Sequence, residues 1–243
     1  MHAGELSLGY QAQGVRPEQK PDLSPVTIAD KEAEKLIVKL ISEVFPDDGL
    51  LGEEGTERKS MNGRRWIIDP VDGTRDFVRG YDLWAVLIGF EVDGEVVAGV
   101  AHFPARKQMY SALKGSGAWL NEKPIRISEI TEISQALLCV NGLNTMRRQK
   151  FAPKIVDWMS RFWAVRSFGG ALDAMMLCSG HAEVWIENTA KPWDLAPLKL
   201  IAEESGARFL NFDGGSSIAG GNAMICVPAL EPAIRQFLGC QQM

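Results

Sequence analysis

The chain has 243 residues, of which 46% are hydrophobic and 23% are charged, and its formal net charge at pH 7 is -5. This composition fits a globular protein with one large domain or two small ones, and the lack of a basic surplus argues against nucleic-acid binding. No apolar run reaches the roughly 20 residues that span a bilayer, and the first five residues lack the basic and apolar regions of a signal peptide, so neither a membrane protein nor a secreted one is expected.

The N-terminal segment predicts two helices with a loop between them. Residues 3–13 are typical of the end of a helix, whereas residues 14–25 are polar, contain three prolines and predict a loop. Apolar residues then recur at helical spacing as far as Val44. Thr27 and Asp30 at the start of this second helix form a capping-box pattern in which Asp replaces the usual Glu.

Two short strands are expected next, and each ends in acidic residues. Residues 49–55 predict a strand that runs into Glu53 and Glu54. The run 66–68 is aromatic and β-branched, which suits a buried strand. Proline has no N–H to donate to a sheet, so we expect this strand to stop at Asp69–Pro70.

The remaining chain changes character near residue 130. Before that point we predict a meander of strands over residues 83–92, 96–103, 108–113, 118–120 and 125–127, with a hairpin turn at Asp93–Gly94. After it, strands over 136–140, 163–168, 182–187, 207–212 and 223–227 alternate with helices over 147–162 (interrupted by Pro153), 170–178, 193–205 and 228–238. The prediction is an N-terminal α+β half with a large antiparallel sheet, residues 1–130, and a smaller α/β half, residues 131–243.

Asp69 and Asp72 are the first sign of a functional site. They lie three residues apart on a turn that Gly73 closes. Two carboxylates held this close repel each other unless a cation lies between them, and clustered carboxylates and carbonyls usually bind Mg²⁺, Mn²⁺ or Ca²⁺. The alternative is an Asp-rich turn with no ligand.

Three further acids stand at the boundaries of predicted elements. Glu53 follows a strand, Asp194 begins a helix and Asp30 lies in the first turn of another. Each has a simple structural explanation, since turns are solvated and the helix dipole favours acids in the first turn. Spacing alone does not establish that these acids converge.

Four segments together resemble the inositol monophosphatase family, the Mg²⁺-dependent, lithium-sensitive phosphatases. Residues 66–77 match the WxxDPxDGTxxF pattern of that family without a gap, residues 52–54 match its GEE segment, and residues 24–30 match SPVTxAD. Residues 193–197, WDLAP, match the WDxxA motif with alanine one place early. The similarity runs from about residue 20 to the end. It implies the layered αβαβα sandwich of the sugar phosphatases.

The resemblance also implies the roles of individual residues. The metal ligands would be Glu53, Asp69, the Val71 carbonyl, Asp72 and Asp194. The attacking water would be oriented and deprotonated by Asp30 and Thr74, with Glu53 counted among the catalytic residues. The substrate would contact Asp72, Gly73, Thr74, Ser167, Glu187 and Asp194, with the N–H groups of Gly73 and Thr74 as a phosphate cradle. Two or three Mg²⁺ ions are expected, and Lys20 lies near the place of a family lysine.

The resemblance narrows the substrate without fixing it. Residues 77–84, FVRGYDLW, resemble the bacterial histidinol-phosphate phosphatase branch. The segment 169–171 lacks an acidic residue expected in that branch, however, and Glu187 is more similar to the inositol-phosphate branch. We therefore expect a metal-dependent phosphomonoesterase acting on a small polyol or amino-alcohol phosphate, either histidinol phosphate or inositol monophosphate.

Other functions are compatible with the same motifs. A nucleotide 3′-phosphatase and a fructose-bisphosphatase share them, and a regulatory or binding protein could retain the scaffold. A homodimer is expected from the family. Part of the family's longer first helix is expected to be missing. Four cysteines without a CxxC pair predict reduced thiols in a cytoplasmic protein, and three scattered histidines do not favour a zinc site.

Overall fold

A computed structural model describes residues 1–21 and 23–240 of the chain. The α-helices of this part are α1 (His2–Gln13), α2 (Ile28–Val44), α3 (Thr74–Val78), α4 (Ile155–Met159), α5 (Gly170–Cys178), α6 (Pro192–Ser205) and α7 (Glu231–Leu238). None of the helices in these residues has the length and apolar character that crossing a bilayer requires.

The strands form two large sheets and one small ribbon. The ribbon pairs β1 (Glu18–Gln19) with β2 (Pro25–Val26). The first large sheet contains β3 (Gly49–Gly52), β4 (Glu57–Arg58), β5 (Arg64–Asp72), β6 (Ala85–Val92), β7 (Glu95–Phe103), β8 (Gln108–Leu113), β9 (Ala118–Leu120) and β10 (Lys123–Ile125). The second contains β11 (Leu137–Asn141), β12 (Ala164–Arg166), β13 (Val184–Glu187), β14 (Arg208–Leu210) and β15 (Ala223–Cys226).

The strand order confirms the predicted contrast between the two halves. The first sheet has the order β10-β9-β8-β7-β6-β5-β3-β4 and is antiparallel except where β3 runs parallel to β5. The second has the order β12-β11-β13-β15-β14. In it β11 runs parallel to β12 and β13, and β15 runs antiparallel to both of its neighbours. The parallel pair β3–β5 matters most for the site, because it brings the ends of these two strands to the same edge.

Five layers stack in the order helix, sheet, helix, sheet, helix. Apolar residues of α1 and α2, such as Ala33 and Ile37, cover the outer face of the first sheet. A second cluster joins that sheet to α5, α6 and the second sheet, with Leu87, Met175 and Trp185 all fully buried. The outer face of the second sheet packs on α4 and α7. This arrangement is the αβαβα sandwich that the resemblance implied.

Two glycines allow α6 to lie directly on the first sheet. A Cβ atom at Gly89 would stand 2.8 Å from the Ala196 side chain, and one at Gly99 would stand 2.9 Å from the Cα atom of Pro197. Such distances are too short for real Cβ contacts, so a side chain at either strand position would push the helix away. The close approach fixes α6, whose first turn carries Asp194.

Several expected boundaries were wrong. Strand β5 does not stop at Asp69–Pro70 but continues to Asp72, with a register shift between Asp69 and Asp72. A bulge of this kind leaves one residue unpaired, so the missing N–H of Pro70 costs no ladder bond. The loop 14–25 contains the short ribbon β1–β2, and the strand expected at 125–127 lies at Lys123–Ile125.

The helix predicted over residues 147–162, interrupted by Pro153, is confirmed in its interruption and in the helical residues that follow but is wrong in its length. That segment forms two 3₁₀ turns, Met146–Arg148 and Ala152–Lys154, followed by the single short helix α4. Pro153 lacks the N–H that a continuous helix would need at this point and clashes with the preceding turn. The predicted division at residue 130 into two halves remains a prediction.

Candidate active site

Three carboxylates from distant parts of the chain meet at one edge of the sandwich. Asp69 and Asp72 stand on either side of the bulge in β5, and Asp194 lies in the first turn of α6. One carboxylate oxygen from each lies within 4.8 Å of the other two. Asp69 is buried, whereas Asp72 and Asp194 are half-buried. The convergence that spacing could not establish is therefore present.

The negative charges in this cluster repel one another. Burial, followed by the charges of Glu53, Asp72 and Asp194, raises the pKa of Asp69 well above its ordinary value. Burial and the charge of Asp72 do the same to the pKa of Asp194. Burial raises the pKa of Asp72 to about 6. Carboxylate oxygens crowded in this way suit a hard divalent cation such as Mg²⁺, which would offset both the repulsion and the lost hydration.

Glu53 reaches the cluster from the neighbouring strand. Because β3 is parallel to β5, the first residue after β3 lies beside the end of β5, and the Glu53 N–H donates to the Ile68 carbonyl at 3.1 Å. The Lys20 ammonium donates to both Glu53 Oε1 and Glu54 Oε1 at 2.7 Å. Burial raises the pKa of Glu54 to about 7. Lys20 thus supplies a protein cation at the side of the cluster.

Asp30 and Thr74 form the second element of the site. The capping box predicted from Thr27 and Asp30 is present, with the Thr27 N–H donating to Asp30 Oδ2 at 2.8 Å. The other Asp30 oxygen accepts a hydrogen bond from the Thr74 hydroxyl at 3.0 Å. The Val71 carbonyl lies 3.2 Å from the same hydroxyl oxygen. Burial raises the pKa of Asp30. A hydroxyl that donates to a carboxylate keeps its own lone pairs free to accept a hydrogen bond from water.

Gly73 turns the chain from β5 into α3. Its φ of 85° lies in the left-handed region, which glycine adopts without strain. Gly73 is the N-cap residue and Thr74 the first residue of α3. The prediction that their N–H groups bind phosphate stays a prediction, as do the ligand and substrate roles assigned to the other residues.

The end of β13 and the start of α5 also border the site. Glu187 ends β13, is 8% exposed and accepts a hydrogen bond from the Asn141 side chain at 2.6 Å. The Ala171 N–H, in the first turn of α5, donates to Asp72 Oδ2 at 3.2 Å. A Cβ atom at Gly170 would stand 3.6 Å from Glu187 Oε2 and 3.7 Å from Asp72 Oδ1. Glu187 and the carboxylate cluster therefore flank the start of α5.

Ser167 is the predicted site residue that the structure connects least. It is exposed and follows β12, and its side chain makes no hydrogen bond to the described part of the chain. It lies three residues before Gly170 in the sequence. Its substrate contact remains a prediction.

Asn141 and Glu34 were not identified from the sequence. Asn141 is the last residue of the buried strand β11 and pairs with Glu187 at the end of β13. A polar residue at the end of one predicted strand, beside a strand that ends in an acid, was the sequence signal that could have identified it. Glu34 lies one helical turn after Asp30 on α2 and is 2% exposed. A charged residue on the apolar face of an amphipathic helix was the corresponding signal there.

Lowering the pH from about 7.5 to about 5.5 should stabilise the metal-free protein. A carboxyl group whose pKa is higher in the folded chain than in the unfolded one binds more protons when folded, so the free energy of unfolding rises as the pH falls. Asp72 at about 6 and Glu54 and Glu187 at about 7 place this gain between pH 7 and the unfolded pKa near 4.

Calorimetry in EDTA should show a higher Tm at the lower pH. Saturating Mg²⁺ should shrink the gain, because a bound cation favours the charged carboxylates. If the Tm of the metal-free protein instead falls as the pH is lowered over this range, the neighbours of these carboxylates do not destabilise their charged forms.

Known proteins resemble this chain in sequence and in fold over nearly its whole length. A profile of the inositol monophosphatase family matches residues 3–238. A histidinol-phosphatase of Chlorobaculum parvum is 39% identical over 224 residues, which cover 92% of this chain and 86% of that protein. An inositol-1-monophosphatase of Rhizobium meliloti is 30% identical over 220 residues, 89% of this chain and 83% of that protein. The structure of an IMPase from Thermotoga maritima superposes with a TM-score of 0.89 at 28% identity, covering 98% of this chain and 92% of the other.

Proposed function

The chain belongs to the inositol monophosphatase family and is a phosphoric monoester hydrolase, and from this premise we propose that it hydrolyses histidinol phosphate with the help of Mg²⁺. The similarity is higher to the Chlorobaculum parvum histidinol-phosphatase, at 39% identity, than to the Rhizobium meliloti inositol-1-monophosphatase, at 30%. The FVRGYDLW segment, residues 77–84, points to the same substrate. Inositol monophosphate is the second candidate.

The observation that carries this proposal is the buried carboxylate of Glu187 beside the carboxylate cluster, although Glu187 by sequence resemblance is more similar to the inositol-phosphate branch. Histidinol phosphate is an amino alcohol, so it presents a primary ammonium and an imidazole close to its phosphate ester. Inositol monophosphate presents only hydroxyls. Burial raises the pKa of Glu187 to about 7, and a substrate ammonium next to it would favour the charged form. Asn141 holds the carboxylate in place from the other side.

Mg²⁺ would be held by Glu53, Asp69, the Val71 carbonyl, Asp72 and Asp194. When bound, Mg²⁺ neutralises the phosphate dianion and lowers the pKa of a coordinated water. The number of ions, two or three in our prediction, belongs to the proposal. The crowded, raised-pKa carboxylates described above support this assignment.

The residues of the chain itself would position water and substrate. The Thr74 hydroxyl donates to Asp30, so its oxygen can accept a hydrogen bond from the attacking water. As the water loses a proton to this oxygen, the hydroxyl would pass its own proton to the Asp30 carboxylate. The N–H groups of Gly73 and Thr74, at the start of α3, would hold the phosphate oxygens. Ser167, Asp72, Asp194 and Glu187 would contact the alcohol part. No covalent enzyme intermediate is required.

A panel of phosphate esters tests the proposed substrate. Phosphate release would be measured for histidinol phosphate, inositol monophosphate, fructose 1,6-bisphosphate and a 3′-phosphorylated nucleotide, each with Mg²⁺ and with EDTA. We expect the highest kcat/KM for histidinol phosphate and no turnover in EDTA. A higher value for another ester would replace the substrate, and no turnover on any ester would favour a regulatory or binding role on this scaffold.

Glu187→Gln should separate the two leading substrates. Loss of a charged hydrogen bond to an ammonium corresponds to roughly a 10- to 100-fold rise in KM, whereas a bond to a neutral hydroxyl corresponds to less than about 10-fold. We therefore expect KM for histidinol phosphate to rise more than KM for inositol monophosphate.

The matched control for this variant is Glu183→Gln, at the residue just before the same strand. Glu183 is also buried and accepts hydrogen bonds from the Ser128 hydroxyl and the Leu137 N–H. Its substitution should affect both substrates equally. Equal effects of Glu187→Gln on both substrates would contradict the proposed ammonium contact.

The predicted homodimer and the predicted cytoplasmic location are also part of this proposal. The first rests on the resemblance to the family, and the second rests on the four unpaired cysteines.

A further inference from the structure

The Glu34 carboxylate of α2 binds the backbone of the turn that carries Glu53. At its base, the Gly52 N–H donates to the Thr56 carbonyl at 2.7 Å. Across the inside of the turn, the N–H of Glu54 donates to Glu34 Oε2 at 2.8 Å and that of Thr56 to Glu34 Oε1 at 3.0 Å. Both oxygens of one side chain are thus used to fix a single turn.

Glu34 has no room to move away from this turn. Its side chain is 2% exposed. A Cβ atom at Gly52 would stand 2.5 Å from Glu34 Oε2 and 2.6 Å from Oε1, so only glycine at position 52 leaves space for the carboxylate. The two residues form a close contact in which each restricts the other.

The same helix also carries Asp30, which bonds to Thr74. Asp30 and Glu34 lie four residues apart, and residues at this spacing share one face of a helix. Helix α2 therefore contacts the site at two points: Asp30 at the Thr74 hydroxyl, and Glu34 at the turn of Glu53. One rigid element sets the distance between these two parts of the site.

We propose that Glu34 is a positioning residue, which holds the turn at residues 53–56 so that the Glu53 carboxylate faces Asp69. This inference rests on the proposed role of Glu53 as a metal ligand. Without the Glu34 carboxylate, the half-buried N–H groups of Glu54 and Thr56 lose their acceptors, and the turn must rearrange to find others. Rearrangement would withdraw Glu53 from the cluster even though every ligand residue is still present.

Glu34→Gln should weaken Mg²⁺ binding without changing the ligands. A glutamine side chain has one acceptor oxygen, and its NH₂ group would face the second N–H as donor against donor. Loss of a group that orients a metal ligand typically costs 10- to 100-fold in metal affinity or activity, so we expect about that rise in the Kd for Mg²⁺ measured by calorimetric titration. KM for substrate at saturating Mg²⁺ should change by less than about threefold, because Glu34 contacts no substrate group.

Gly52→Ala tests the same contact from the other side. The added Cβ atom would push the Glu34 carboxylate off the turn and leave the chemistry of residue 34 unchanged. We expect the same rise in the Kd for Mg²⁺. The double variant should be little worse than either single one, since both changes break one contact and their effects are not additive.

Glu204→Gln is the matched control. Glu204 lies on α6 and accepts the N–H groups of Gly115 and Gly117, both at 2.8 Å, so it holds a turn with the same chemistry. That turn carries no proposed ligand. Its substitution should lower the Tm but leave the Kd for Mg²⁺ unchanged.

Glu53→Gln provides the reference that separates two kinds of failure. If it leaves the Kd for Mg²⁺ unchanged, the assignment of Glu53 as a ligand is wrong, and with it the proposed function of this residue. If it weakens Mg²⁺ binding while Glu34→Gln and Gly52→Ala behave like Glu204→Gln, the positioning role of Glu34 is overturned. Should Glu34→Gln fail to fold, the result with Gly52→Ala decides alone.

Discussion

Replacing Asp69 with asparagine is expected to abolish Mg²⁺-dependent turnover and to raise the Tm of the metal-free protein. Burial, followed by the charges of Glu53, Asp72 and Asp194, raises the pKa of Asp69 well above the ordinary value. In the metal-free protein this carboxylate is repelled by its acidic neighbours. A neutral amide of nearly the same shape removes that repulsion. With metal, the same charge supplies several kcal/mol of transition-state stabilisation, so kcat should fall at least about 10³-fold.

Asp48→Asn is the matched control for this prediction. Asp48 is fully buried too, but it accepts hydrogen bonds from Arg64, Asn62 and Trp66, and hydrogen bonds and the Arg64 charge hold its pKa below the ordinary value despite the opposing effect of burial. Its substitution should lower the Tm by removing charge-assisted hydrogen bonds and should leave the Mg²⁺ dependence of kcat unchanged. Retained Mg²⁺-dependent activity in Asp69→Asn would show that the cluster is not the catalytic metal site.

Replacing Thr74 with valine is expected to lower kcat by about 10²- to 10⁴-fold, the usual contribution of a positioned proton acceptor. Valine has nearly the shape of threonine but lacks the hydroxyl that donates to Asp30. The attacking water would lose its orienting partner and its route for a proton. Asp69, Asp72 and Asp194 are untouched, so the Kd for Mg²⁺ should stay within about threefold of the original value.

Thr74→Ser is the rescue variant, because serine keeps the hydroxyl. It should restore kcat to within about tenfold of the original enzyme. Equal losses in Thr74→Val and Thr74→Ser would mean that the methyl group, and hence packing at the start of α3, matters more than the hydroxyl. A large loss of Mg²⁺ affinity in Thr74→Val would mean that Thr74 contributes to metal binding rather than to orienting the water.

The layered fold could be predicted because each layer has its own local pattern. The β-rich runs on either side of the Asp93–Gly94 turn identify the β6–β7 hairpin, and the Thr27–Asp30 capping box identifies the start of α2. These signals lie within a few residues of one another, so no tertiary information is needed. The strand was wrongly predicted to end at Pro70 because a bulge depends on pairing with the neighbouring strand β6. That strand lies elsewhere in the sequence, so the residues around Pro70 do not reveal the bulge.

The site was predicted in part for a similar reason. Motifs carry Asp69, Asp72 and Asp194, and resemblance to a family supplied their convergence. Glu34 and Asn141 belong to no recognised motif. They contact the turn at 53–56 and Glu187, which lie about 20 and 46 positions away in the sequence. Only the packing of α2 on the first sheet and the pairing of β11 with β13 bring them together.

The central claim is that the carboxylates of Asp69, Asp72 and Asp194 hold the catalytic metal. Diffraction from crystals containing Mn²⁺, an anomalous scatterer with the same preference for oxygen ligands, tests it most directly. We predict an anomalous peak within about 2.5 Å of a carboxylate oxygen of each of these residues, with added phosphate bound on the side of Gly73 and Thr74. A map with no peak at the cluster, or with Mn²⁺ bound only elsewhere, would contradict the claim.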